Sequence, residues 1–239
     1  MRTIMLFILS QCFILSTFAQ SQDNTLSKKE LKEGWTLLFN GKNLDGWTAV
    51  GKTTLPEQGW VVEDGAIIAN KAGSARGGDL ITKNEYGEFD LQFEYKLSKG
   101  ANSGVKYFFH KYGTSWLGCE YQAIDEENHP EKDHLTGVHQ TASLYDIYET
   151  QIKAPVKPYG EWNKGRILSK GSKVTHFLNG KKVLTYDRMG QEFKEAVKKS
   201  KFKDAVPTFG TIDKGYILLQ DHQDEVYFKN IKIKDLSKK

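Results

Sequence analysis

Between Phe89 and Leu97 the residues Phe89, Leu91, Phe93, Tyr95 and Leu97 alternate without exception with Asp90, Gln92, Glu94 and Lys96. Only an extended strand sends successive side chains to opposite faces, so this segment is a strand with one face buried and one wet. Two-residue turn signals fix how such strands connect. Asp64-Gly65 separates Trp60-Val61-Val62 from Ala66-Ile67-Ile68, Gly171-Ser172 precedes Val174, and Asn179-Gly180 separates Phe177-Leu178 from Val183-Leu184. Each suits a tight hairpin, which makes the chain all-β and mainly antiparallel. Strand patterning returns from Tyr216 to Leu236, and the first and last strands are expected to pair.

Two segments depart from this pattern. Ser27-Lys28-Lys29-Glu30 has the Ser-x-x-Glu form of a capping box and predicts a short N-terminal helix. Between Met189 and Phe202, Phe193 and Val197 stand four apart among Lys and Glu, the mark of one peripheral helix docked by a narrow apolar stripe.

The N-terminus carries Arg2, an apolar run from Ile4 to Phe18 broken by Ser10, Gln11 and Ser16, and small or polar residues around Ala19. This is the pattern of a secretory signal peptide over 1–20, too interrupted for a membrane span, which needs about 20 apolar residues. A linker and short helix over 21–33 and a single sandwich domain over 34–239 complete the expected organisation. The expected location is periplasmic or secreted. Loss of the signal removes Cys12 and leaves Cys119 alone, so the core rather than a disulfide must stabilise the fold. The net charge is +4, and no run of Lys and Arg interleaves with aromatics, so nucleic acid is not an expected partner.

Alternation also points to candidate chemistry. Glu120 and Gln122 in Gly118-Cys119-Glu120-Tyr121-Gln122 project together, as do Gln220 and His222 in Leu219-Gln220-Asp221-His222. A carboxylate, two amides and an imidazole over one hollow supply a proton acceptor, a proton donor and hydroxyl-binding groups; the bland alternative is polar decoration of a wet sheet. Trp116, Tyr121, Tyr145, Tyr148 and Trp162 lie near these strands and offer faces for stacking on a pyranose. Trp35, Trp47 and Trp60 read as core packing. The stretch from Asp125 to His139 holds Asp125, Glu126, Glu127 and Asp133 with His129, His134 and His139, a candidate divalent-metal loop that lacks compact ligand spacing. Gly77-Gly78-Asp79 reads as a turn.

Several phrases recur in one order: Gly34-Trp35-Thr36-Leu37-Leu38-Phe39-Asn40-Gly41-Lys42-Asn43-Leu44-Asp45-Gly46-Trp47, Asn102-Ser103-Gly104-Val105, Glu120-Tyr121-Gln122, Ser143-Leu144-Tyr145-Asp146, Gly160-Glu161-Trp162-Asn163, Leu178-Asn179-Gly180 and Leu219-Gln220-Asp221-His222. Together they resemble the 3-keto-disaccharide hydrolase domain family, whose members are also described as 3-keto-glucoside 1,2-lyases and 3-keto-2-hydroxy-glucal hydratases. The resemblance implies a concanavalin A-like jelly-roll β-sandwich and a sugar substrate already oxidised to a ketone at carbon 3. It implies Glu120 or His222 as the base at carbon 2 with the other as proton donor, and Lys106, Gln122 or a divalent metal at the oxyanion. It further implies Asn102, Tyr145, Asp146, Trp162, Asn163, Arg166, His176 and Gln220 as sugar-binding or supporting residues. Asp146 and Asn163 equally suit turns, and Arg166 a surface ion pair. Phe108 stands where the family pattern has arginine, on the face expected for Lys106, while Phe177 and Gln223 depart from its tryptophan and glycine.

Two other functions fit the same sequence. A non-catalytic, lectin-like carbohydrate-binding module uses the same fold. A retaining glycosidase needs paired carboxylates about 5 Å apart, and Ile124 occupies the position four beyond Glu120 where the second would stand.

Overall fold

The computed structural model describes residues 22–73, 75–204 and 208–237; the expected signal peptide lies outside them. The described residues form two antiparallel sheets packed face to face, the all-β jelly-roll sandwich expected. One sheet contains β1 (Trp35–Leu37), β3 (Trp60–Glu63), β4 (Ala66–Ala69), β6 (Phe89–Leu97), β9 (Asn163–Lys170), β10 (Lys173–Leu178), β11 (Lys181–Asp187) and β13 (Val226–Asp235). Its order is β11-β10-β9-β6-β13-β4-β3, with β1 paired to β13. The other contains β2 (Trp47–Ala49), β5 (Leu80–Tyr86), β7 (Asn102–Tyr112), β8 (Ser115–Ile124) and β12 (Gly215–Leu219), ordered β2-β5-β12-β7-β8.

All three hairpins form at their predicted turns, and β1 pairs with β13, the first described strand with the last. On β6, Phe89, Leu91, Phe93, Tyr95 and Leu97 are buried in the core. They meet Val105, Tyr107, Cys119, Tyr121, Ile217 and Leu219 from the second sheet. Burial of so many aromatic and aliphatic side chains between two sheets is the main stabilising contribution, since the described residues contain no disulfide.

Two helices flank the sandwich. α1 (Lys28–Lys32) begins at the reciprocal Ser27–Glu30 capping box, and α2 (Gln191–Lys199) buries Phe193. The expected linker before α1 is docked rather than free: Asn24 donates to the Gly65 carbonyl at 2.8 Å and exchanges backbone–side-chain bonds with Asn230 on β13. Among the described residues no helix is long and apolar enough to cross a membrane.

One strand breaks its own alternation. At Phe108 the backbone turns into the left-handed region with φ 49°, and the pairing of β7 with β8 shifts register between Tyr107 and His110. This bulge inserts one residue, so the parity of β7 changes beyond it. Phe108 therefore packs in the core against Phe89, Tyr107 and the Arg188 guanidinium, and Phe109 takes the outer face. The expectation that Phe108 shares a face with Lys106 is corrected by that extra residue.

Candidate active site

The outer face of the five-stranded sheet is a grid set by strand register. Lys106 lies opposite Glu120 on one side and Leu218 on the other, and Leu218 lies opposite Ile81. In the next row Gly104 lies opposite Gln122, and its carbonyl accepts the Gln220 backbone N–H at 3.0 Å. Glu120 and Gln122 are thus separated from Gln220 by a residue with no side chain. A Cβ at position 104 would stand 2.5 Å from Glu120 Oε1, so Gly104 is the floor that lets the carboxylate lie across the sheet.

Glu120 is 5% exposed, and its Oε2 lies 3.5 Å from Lys106 Nζ. The Gln122 amide, with its nitrogen turned to its acceptors, donates to Glu120 Oε1 at 3.3 Å and to the Ser103 carbonyl at 3.0 Å. Its oxygen then accepts from the Asn102 side-chain amide at 3.2 Å. A buried carboxylate held between an ammonium and an amide is a preorganised proton acceptor with a cation beside it. The Gln220 Oε1 atom is buried and makes no hydrogen bond among the described residues, which leaves an acceptor free beside this cluster.

A loop segment closes one flank. The Gln122 N–H donates to the Ser143 carbonyl, the Ala142 N–H to the Gln122 carbonyl, and the Tyr145 N–H to the Glu120 carbonyl at 3.0 Å. Burial, then the Glu120 charge, pushes the Tyr145 phenol above its ordinary range. Lys201 Nζ lies 4.1 Å from the centre of the Tyr145 ring. Burial pulls the Lys201 ammonium below its usual value, with Lys106 adding to the effect and Glu120 and Asp146 opposing it. Asp146 holds this flank in place: its carboxylate accepts the Lys201 backbone N–H and faces His139 Nε2 at 3.1 Å.

The opposite flank was not foreseen. Asp79 accepts the Asp221 backbone N–H at 2.9 Å, and burial raises its carboxyl pKa despite the opposing influence of Lys106. Asp221 is a hub, accepting the N–H groups of Gly77, Gly78 and Gln223 as well as the Asn70 amide. These bonds depress its carboxyl pKa although burial opposes them. The Gly77-Gly78-Asp79 turn read from the sequence is therefore a loop tied by Asp221, and it lines a hollow of 410 Å³ that reaches Lys106.

The structure brings together Glu120, Gln122, Asn102, Lys106, Gln220, Tyr145 and Asp146. His222 follows in the loop after β12, exposed and with no hydrogen bond or ion pair among the described residues. Four expected sugar contacts lie elsewhere and are corrected. His176 is fully buried between the sheets, its Nδ1 2.9 Å from the Ala142 carbonyl and its Nε2 2.7 Å from the Tyr107 hydroxyl, so no sugar can reach it. Arg166 makes a two-pronged ion pair with Asp90 on the outer face of the other sheet. Trp162 is on that side too, beneath the ammonium groups of Lys96 and Lys229. Asn163 is buried and spans Lys157 with both ends of its amide, a role its turn chemistry allowed. Of the other aromatics considered, Tyr121 is in the core and Tyr148 packs on Tyr186 and Phe193, while Trp116 faces the hollow.

Among the described residues no group of three or more His, Cys, Asp and Glu side chains gathers as metal ligands. In the acidic, histidine-rich loop Asp125 instead accepts the Gly100 N–H and the Asn128 amide, Glu126 accepts the Thr141 N–H, and His129 Nδ1 accepts the Glu131 N–H.

Comparison with known proteins gives consistent matches. The family described as the 3-keto-alpha-glucoside-1,2-lyase-like domain matches residues 34–234. A protein of Bacteroides thetaiotaomicron named 3-keto-disaccharide hydrolase is 35% identical over 231 residues, covering 85% of this chain and 79% of the relative. The crystal structure of a candidate glycosyl hydrolase from Parabacteroides distasonis has a TM-score of 0.80 at 34% identity, covering 90% of this chain and 100% of that one. A second candidate glycosyl hydrolase from the same organism has a TM-score of 0.63 at 26% identity, covering 84% and 99%.

Proposed function

The chain belongs to the 3-keto-alpha-glucoside-1,2-lyase-like family, and on that premise we propose that it is an exported enzyme cleaving 3-keto-glycosides by elimination across carbons 1 and 2, with water then added to give net hydrolysis. At the coarser level, the chain is a carbohydrate-active enzyme of the glycoside-hydrolase kind. The observation that carries the finer reading is the seating of Glu120 over Gly104 with Lys106 Nζ 3.5 Å from its Oε2.

A ketone at carbon 3 acidifies the proton on carbon 2. Glu120 removes that proton, and the electron pair moves to form an enolate with its charge on the carbon 3 oxygen. The Lys106 ammonium, beside Glu120, is the group assigned to stabilise that charge, an effect worth about 3 kcal/mol for a desolvated donor. Re-formation of the ketone drives out the oxygen on carbon 1 and leaves a double bond between carbons 1 and 2. The departing oxygen takes up the proton that Glu120 removed. Water adding at carbon 1, with return of a proton to carbon 2, yields the free 3-keto sugar. Of the two bases expected from the sequence, Glu120 is preferred to His222 because it is buried, oriented by Gln122 and paired with a cation.

The test is turnover of a 3-keto-glucoside in D₂O by the purified protein, with and without a chelator, followed by NMR. The reading expects deuterium at carbon 2 of the product. It also expects Glu120→Gln to lower kcat on the order of 10³-fold while sugar binding stays within about tenfold. Product that keeps its original hydrogen at carbon 2, or an active Glu120→Gln protein, sinks the mechanism. Binding with no turnover by the wild type would instead favour the lectin-like module.

A further inference from the structure

The Lys106 ammonium has a carboxylate on either side. Glu120 approaches it from β8, and Asp79 from beyond β12, just before β5 begins. Leu80 is buried in the main core and Ile81 belongs to the outer cluster, so Asp79 shares the outward face of the sheet. It lines the hollow of 410 Å³ together with Lys106. Its Oδ1 accepts the Asp221 backbone N–H at 2.9 Å, whereas Oδ2 has no hydrogen bond or ion pair among the described residues. In the same row, between Gly104 and Asp79, Gln220 holds its buried Oε1 without a donor.

The loop that presents Asp79 is fixed from three directions. Asp221 Oδ2 accepts the N–H groups of Gly77 and Gly78 at 2.8 Å each, Trp60 Nε1 donates to the Gly78 carbonyl at 2.7 Å, and the Gln58 amide donates to the Arg76 carbonyl at 3.2 Å. On its back the loop lies against the chain before β3. A Cβ on Gly77 would stand 2.0 Å from the Gln58 carbonyl oxygen, and one on Gly59 2.3 Å from the Gly77 nitrogen. A turn that only connected β4 with β5 would need none of this, whereas one that holds a carboxylate in a fixed position does. Burial of that carboxylate raises its pKa, and Lys106 and the Asp221 N–H only partly oppose the rise, so part of the desolvation cost is left for a ligand to offset.

We propose that Asp79, with Gln220 beside it, accepts the hydroxyl on carbon 4 of the oxidised sugar and so restricts the enzyme to sugars in which that hydroxyl is free. The inference rests on the reading of Glu120 as the base at carbon 2 and of Lys106 at the carbon 3 oxygen. Carbons 2 and 4 stand on opposite sides of a carbonyl at carbon 3, as Glu120 and Asp79 stand on opposite sides of Lys106. The side chains run in the matching order: a base for the acidified C–H, a donor for the ketone, and acceptors for a hydroxyl. The spacing agrees. Glu120 Oε1 lies over Gly104, and Asp79 stands two strands further across the sheet, about 9.6 Å at ~4.8 Å per strand. Contacts of about 3 Å at either end leave the reach of three single bonds of ~1.5 Å, from carbon 2 through carbons 3 and 4 to the oxygen. A carboxylate and an amide oxygen only accept, so an ether at carbon 4, or hydrogen in place of the hydroxyl, leaves both without a donor.

The test measures kcat/KM for the 3-keto form of a methyl glucoside and for its 4-deoxy and 4-O-methyl counterparts in wild type, Asp79→Asn and Asp79→Ala. Thermal unfolding checks that each variant is folded, and Asp79→Asn keeps an acceptor for the Asp221 N–H. Wild type is expected to prefer the parent over the 4-deoxy substrate by about thirtyfold, as for a hydrogen bond to a charged group. That preference should fall to about threefold in Asp79→Ala, the remainder belonging to Gln220, with Asp79→Asn in between. A purely structural Asp79 would lower turnover of both substrates alike and leave the preference intact, which overturns the proposal. So does a wild type that accepts the 4-O-methyl substrate as readily as the parent. Calorimetry with the unoxidised methyl glucoside and its 4-deoxy analogue repeats the comparison without the chemistry, in wild type and Asp79→Ala. If the wild type turns over no keto substrate, the reading of Glu120 fails, and the calorimetry still decides the role of Asp79: a binding preference lost in Asp79→Ala upholds it, and a preference kept, or no binding of either sugar by wild type, overturns it.

Discussion

At the scale of single residues, the position that most constrains the site is one without a side chain. Gly104 has no positive φ to explain its presence; what it supplies is space, because a Cβ there would press on Glu120 Oε1, Cγ and Cδ at 2.5, 2.9 and 3.0 Å. Gly104→Ala should therefore fold normally, since the added methyl faces outward over the site, but it would push the carboxylate out of line with Lys106. A displacement of about 1 Å in a reacting group costs on the order of 10²-fold in rate. The expected result is a fall of that size in kcat with the unfolding midpoint within a few degrees of wild type; full activity would mean that the carboxylate does not need this seat. Alternation legibly paired Glu120 with Gln122, because two residues on a regular strand always share a face. The placement of Asp79 was not legible, since its partner is a backbone N–H 142 positions away and nothing local marks such a bond.

At the scale of elements, the regular strands were readable and the irregular or buried polar positions were not. The Phe89–Leu97 alternation survives intact in β6 because that strand pairs through its length with core on one side. β7 alternates only through Val105, Lys106 and Tyr107 before the bulge at Phe108 reverses its parity and moves Phe109 to the outer face; in the run Tyr107-Phe108-Phe109 the sequence does not say which ring takes the extra position. His176 failed as a sugar contact for another reason: on β10 an isolated histidine looks the same whether it faces water or core. Its role can be derived from its partners. The Ala142 carbonyl can only accept, so Nδ1 carries the proton; Nε2 then accepts from Tyr107, which in turn accepts from Tyr186 at 2.7 Å. This chain ties the segment beside Glu120 to the core. Burial pushes the imidazole down to about 4 from its ordinary 6.5. Since the folded pKa is the lower one, the unfolded chain takes up a proton that the folded chain refuses, and stability drains away as pH falls from 6.5 towards 4. The loss reaches about 3 kcal/mol near pH 4. Urea unfolding should show wild type more stable than His176→Gln at pH 7, with the gap narrowing by about 2–3 kcal/mol at pH 4. A gap independent of pH would contradict the buried neutral imidazole.

At the scale of the whole molecule, the two sheets divide the labour. The eight-stranded sheet presents ion pairs such as Arg166–Asp90 and Lys164–Glu94 to its outside, while the five-stranded sheet carries the carboxylate and the ammonium. Both depend on one core, and a single thiol sits within it. Cys119 is 1% exposed on the inward side of β8, directly behind Glu120, and burial raises its pKa to about 12. Only the thiolate reacts with alkylating or disulfide reagents, and this thiol is both protonated and enclosed. Its neighbours include Tyr107, Tyr186 and Phe193, drawn from β7, β11 and α2, and Gly210, where a Cβ would stand 3.0 Å from the sulfur, so the thiol lies under both the packed sheets and the loop before β12. Labelling of Cys119 should therefore be negligible in native buffer and should accelerate with denaturant along the slope of global unfolding measured by fluorescence. A labelling rate indifferent to low denaturant would show that the cover of the thiol, the loop at Gly210 with Phe193 of α2, opens locally, and would contradict a core that opens only as one unit.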